Sequence, residues 1–87
     1  MTHVARVRKL FPDWGEQILR LALSNETFRE LCEDYGLAVQ ALDLLELHNR
    51  PQDLERIREY RVLIKQLEKD LKDELLAAFD LDRPPKV

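Results

Sequence analysis

Apolar residues recur along this chain at helical spacing. From about Glu26 to Leu47, the positions Phe28, Leu31, Tyr35, Ala38, Leu42 and Leu45 are separated by three, four, three, four and three residues. That is an unbroken heptad seam of the coiled-coil kind. From about Gln52 to Phe79, Ile57, Tyr60, Ile64, Leu67 and Leu71 repeat the pattern, after which Leu75 and Ala78 carry the stripe one position on. A shorter stretch holds Trp14, Ile18, Leu21 and Ala22 on one helical face. Nowhere does a β-branched run alternate in and out, so no sheet is expected.

The boundaries carry their own signals. Asp13 followed by Glu16 resembles a capping box and starts the first helix near Phe11–Asp13. Ser24 and Asn25 are good caps for the next one. Gly36 falls inside the second helix at a cost of about 1 kcal/mol relative to alanine. The seam around it is strong enough to keep that helix whole, with a mild bend as the alternative. His48-Asn49-Arg50-Pro51 ends it, because the residue before a proline avoids the α conformation and proline suits the first turn of the next helix.

Two helices of about 33 and 42 Å, at 1.5 Å per residue, joined by a few residues, must fold back as an antiparallel αα-hairpin. Position k on one then stands level with roughly position 100−k on the other. The short helix reverses at Ser24-Asn25 and packs at the open end, where Trp14, Ile18 and Leu21 meet Phe28, Leu71, Leu75, Leu76 and Phe79. The expected fold is therefore all-α, one small helical domain over 1–87 in a three-helix arrangement. Residues 1–10 form a basic lead and 80–87 a mobile polar tail.

The short helix covers the hairpin only up to the level of Gly36. Leu37, Ala41, Leu44 and Leu47/His48 make a second apolar stripe, and Val62 and Leu63 lie off the seam on the last helix. Either the helices rotate so that these residues fill a wider core, or Leu37, Leu44, Leu47, Val62 and Leu63 form an interface for a second copy of the chain or another helical protein.

Composition narrows the chemistry. The 87 residues hold one cysteine and two histidines, and 14 Lys+Arg stand against 17 Asp+Glu for a net charge of −3. No apolar run is long enough to span a bilayer. The opening reaches Asp13 before any apolar core, unlike a signal peptide. Cys32 has no disulfide partner in the chain, which points to the cytoplasm. Cys32 and His48 are about 24 Å apart along one helix, too far for a nucleophile–base pair. Two distant histidines and one cysteine make no zinc set, and no glycine-rich phosphate loop is present. No catalytic, cofactor-binding or metal-ligating residue is assigned, and an enzyme is not expected.

Charge is unevenly distributed. Residues 24–47 carry six acids and one base, net −5, while residues 1–23 carry four bases and two acids, net +2. Arg58, Arg61, Lys65, Lys69 and Lys72 form a basic ridge on the last helix, flanked by Glu55, Glu59, Glu68 and Asp73. The alternative to an interaction module is thus a binder of nucleic acid or an anionic surface that uses this ridge with Arg6, Arg8 and Lys9. Local neutralisation and an acidic total argue against it, and membrane and nucleic acid are not the expected partners.

Leu10-Phe11-Pro12-Asp13, then Phe28-Arg29-Glu30-Leu31 and Tyr35, with Leu71-Lys72-Asp73-Glu74-Leu75 toward the end, resemble the small YdcH-like helical-hairpin family. The likeness covers about half the chain, and the stretch around Leu44–Leu54 departs from it. It implies an α-hairpin among small bacterial cytoplasmic proteins and supplies no catalytic residue.

Overall fold

The computed structural model describes residues 2–79 and consists of helices and short turns, with no strand among them. The proposed mobile tail at 80–87 lies outside the described residues. Four helices follow one another: α1 (Thr2–Leu10), α2 (Gly15–Ser24), α3 (Glu26–His48) and α4 (Leu54–Phe79). Single 3-10 turns at Pro12–Trp14 and Pro51–Asp53 introduce α2 and α4. The long pair α3 and α4 pack together as the antiparallel hairpin, and α1 and α2 pack on each other and on α3, with α2 also reaching α4. The molecule measures 51 × 24 × 19 Å, the length set by the hairpin.

The helical lead is the main departure from expectation. Residues 2–10 form a helix rather than an irregular basic lead, because Val4 and Val7 stand three apart and are both buried in the core. The charged Arg8 and Lys9 occupy the exposed side. Lys and Arg stems tolerate such a surface well, so a basic run with two inward valines is an amphipathic helix of about two and a half turns.

The start of α2 also differs. Pro12 takes the first position of a tight 3-10 turn, Trp14 precedes α2, and no side chain caps either element. The capping box read from Asp13 and Glu16 does not form. Phe11 and Trp14 instead stack with ring centroids 5.6 Å apart, which fixes the reversal by apolar contact.

The α2–α3 corner is a single residue. Asn25 is extended, its side-chain Oδ1 accepts from the Phe28 amide at 3.0 Å, and its own N–H donates to the Leu21 carbonyl. Arg29 reaches back from α3, and its Nε donates to the Ala22 carbonyl at 2.8 Å. One asparagine and one arginine thereby satisfy groups at two helix ends that would otherwise lack partners.

Gly36 does not bend α3, which runs unbroken from Glu26 to His48. It is buried, and a Cβ built there would land inside the His3 side chain. The glycine exists so that α1 can lie against α3. At the far end Asn49 takes the left-handed conformation (φ 50°, ψ 47°) and donates its N–H to the Leu45 carbonyl. Asparagine tolerates that conformation better than most residues. Asp53 is buried, and Arg50 Nε donates to its Oδ2 at 2.8 Å, which pins the corner before α4 begins.

Ile18, Leu71, Leu75 and Phe28 lie at the centre of the open end with no exposed surface. That is the meeting of short helix and hairpin that the spacing predicts. Leu75 takes the buried position and neighbouring Glu74 is half-buried, as expected when a straight helix drifts against a seven-residue repeat.

Candidate functional site

Side chains on α3 are set by 100° steps, so neighbours in sequence face different partners. Gly36 faces α1. Leu37, one step on, is turned out of that contact, and Ala41 and Leu44 keep its line at spacings of four and three. All five residues singled out from the sequence are exposed, from 45% at Leu63 to 78% at Leu47. The wider-core alternative is therefore excluded for Leu37, Leu44, Leu47, Val62 and Leu63.

The five do not form one patch. Leu37 and Leu63 come together across the hairpin and line a shallow groove of about 330 Å³ with Asp34, Ala38, Tyr60 and Leu67. A second depression of about 260 Å³ adjoins it, sharing Tyr60 and Leu63 and adding Arg56 and Glu59 toward the corner. The first is lined by α3 and α4 and the second by α4 alone, so no residue of α1 or α2 lines either. Leu44 extends the Leu37 line. Leu47, three residues past Leu44, is turned about 60° from it, and Val62, one step from Leu63, points about 100° away from it.

Ala38, Tyr60 and Leu67 are seam residues that also form the floor of the groove, since Tyr60 is only half-buried. Counting seam positions as wholly internal hides that second role. Asp34 and Arg56, at the two ends, carry no motif that marks them in the sequence; their signal is position, one helical turn from Leu37 and Tyr60 respectively. Leu23 and Leu54 are also exposed and lie outside this groove.

The basic ridge is present as a row in which three of the five cations face carboxylates. Arg61 donates to Glu46 across the hairpin at 2.6 Å, Lys69 to Asp73 at 2.7 Å, and Arg58 stands 3.9 Å from Glu55. The Asp73 hydrogen bond and charge hold the Lys69 ammonium above its usual range. Lys65 and Lys72 are exposed, and neither is in an ion pair among the described residues. Such surface pairs contribute little to stability, yet they lower the field a polyanion would meet.

Other polar groups do not converge on a reactive centre. Cys32 is fully buried, and loss of hydration, followed by the nearby Glu33 carboxylate, pushes its thiol up to about 11. A thiol so raised is a poor nucleophile at neutral pH. Burial and the Glu68 carboxylate raise Tyr35 as well, against a smaller opposing effect of Arg6. His48 is exposed at the end of α3, where a histidine complements the carbonyl end. Among the described residues no three His, Cys, Asp or Glu side chains gather as a metal site would require, and no helix is long and apolar enough to cross a membrane.

The chain was compared with family models, with curated proteins and with solved structures, and none matches.

Proposed function

We propose that this chain is a non-enzymatic helical interaction module that self-associates in the cytoplasm through the open side of its hairpin. One observation carries the reading: Leu37 and Leu63, from two different helices, share an apolar groove that α1 and α2 leave uncovered. Leu44 extends the same surface by two turns. Scattered exposed leucines need no explanation, whereas apolar residues contiguous across two packed helices are what an interface core requires. The buried, unreactive Cys32 is compatible with a reducing compartment.

A groove between helices suits another helical surface, because ridges of side chains seat in grooves between side-chain rows. Sedimentation velocity of the wild type against a Leu44→Asp/Leu63→Asp variant tests the reading. Self-association in the wild type and a helical monomer in the variant is the expected result. A wild-type monomer at tens of micromolar, unchanged by the two substitutions, contradicts it. The second reading, a polyanion binder on Arg58, Arg61, Lys65, Lys69 and Lys72, has less support because three of those five cations already face carboxylates. Absence of retention on heparin at low salt ends it.

A further inference from the structure

Apolar residues flank the middle of the groove on both helices, and an acid and a base, Asp34 and Arg56, stand toward its two ends. On α3, Leu37 and Leu44 are equidistant from a point between Gln40 and Ala41. On α4, Tyr60 and Leu63 are equidistant from a point between Arg61 and Val62, and Glu59 and Gln66 are centred within one residue of it. Because Leu37 and Leu63 line one groove, as do Asp34 and Leu67, the two points stand within about two residues, about 3 Å, of each other along the hairpin. Asp34 lies about 10 Å from the α3 point toward the open end, and Arg56 about 8 Å from the α4 point toward the corner, at 1.5 Å per residue. A two-fold rotation about an axis near these points, perpendicular to the helices, brings each acid nearly level with the other copy's base on the diagonally placed helix.

We propose that two copies pack back to back and antiparallel on this axis, stacking the two hairpins as a two-layer four-helix bundle. Leu37 of each copy packs beside Leu44 of the other, Tyr60 beside Leu63, and Asp34 pairs with Arg56 twice. This rests on the self-association reading and adds its geometry. Isologous contact of this kind is self-limiting, since the same patch is used on both sides and closes at two chains. Ala41 sits next to the axis, where a small side chain lets the two α3 helices approach. Glu59 falls within about two residues of Gln66 of the other copy, whose amide in the single chain donates to Asp70. Neither Asp34 nor Arg56 is in an ion pair among the described residues, so the crossed pairs cost no existing bond.

The test combines charge exchange with position-specific cross-linking on the full chain, with helicity monitored by circular dichroism. Asp34→Arg alone and Arg56→Asp alone weaken dimerisation by roughly ten- to a hundredfold, and the Asp34→Arg/Arg56→Asp exchange returns it to within about threefold of wild type. A short bismaleimide joins Ala41→Cys copies and leaves Glu30→Cys copies unjoined, because antiparallel packing holds the two Glu30 positions about 31 Å apart. Wild type, whose Cys32 is buried, is the blank. A dimer that cross-links through position 30, or not through position 41, overturns the antiparallel axis and leaves self-association standing. Cross-linking at 41 without recovery in the exchanged variant overturns the Asp34–Arg56 pairing. A wild-type monomer overturns this arrangement and the self-association reading together.

Discussion

The His3 side chain fills the space that a side chain on Gly36 would need, and this contact seats α1 across the middle of α3. Two valines, Val4 and Val7, complete the docking. Gly36→Ala raises helix propensity by about 1 kcal/mol but forces His3 aside and lifts α1, at an overpacking cost of about 1–3 kcal/mol. The net effect is a loss of stability. In a His3→Gly background the same substitution costs less or stabilises, and denaturant midpoints of the four variants in that cycle measure the coupling.

Much of this fold is written in spacing. The two heptad seams specify α3 and α4, and Asn49-Arg50-Pro51 specifies the corner, because helix period and proline stereochemistry are local properties. The role of Gly36 is not local. Only the close passage of another helix explains a glycine in an otherwise regular helix. The α1 helix is hidden for a related reason: Arg6, Arg8 and Lys9 dominate the composition of a segment whose two valines become significant only once they have a core to enter. Asp13 and Glu16 mislead because Pro12 and the Phe11–Trp14 stack tighten that turn. The exposure of Leu37, Leu44, Leu47, Val62 and Leu63 is legible as surplus over the seam. That only Leu37 and Leu63 share a groove depends on how far each helix is rotated about its axis, which packing decides.

Asn25 is the whole connection between α2 and α3. Asn25→Ala removes the acceptor of the Phe28 amide and costs about 0.5–2 kcal/mol. Asn25→Asp or Asn25→Ser retains most of the stability. Chemical denaturation of the three variants checks the order.

Cys32 links stability to alkaline pH. Its thiol is raised from 9.0 to about 11 in the fold, so the folded state holds the proton more tightly than the unfolded chain. The stabilisation is complete below about pH 9 and is lost progressively as pH rises from 9 to 11, by about 2–3 kcal/mol for this group. Tyr35, raised in the same direction, adds to the decline. Cys32→Ala flattens the curve over that interval, as urea titrations at a series of pH values will record. At pH 8 the wild-type thiol reacts with Ellman's reagent only as fast as the chain opens.

Asp53 is the one charged side chain in the buried class among the described residues, and it holds Arg50 at the hairpin corner. Asp53→Asn keeps the shape and loses the charge-assisted bond, at about 1–2 kcal/mol. Arg50→Ala leaves the buried carboxylate without its guanidinium and costs at least as much. Thermal melts of both variants test whether the corner is fastened here.

Small-angle scattering of the wild type over a concentration series tests the central claim most directly. One chain is 51 Å long with a Cα radius of gyration of 14.7 Å. Back-to-back association predicts a scattering mass twice that of one chain, with the longest dimension still close to a single hairpin's length. A mass of one chain at the highest concentration, or a doubled mass with a doubled length, contradicts the account.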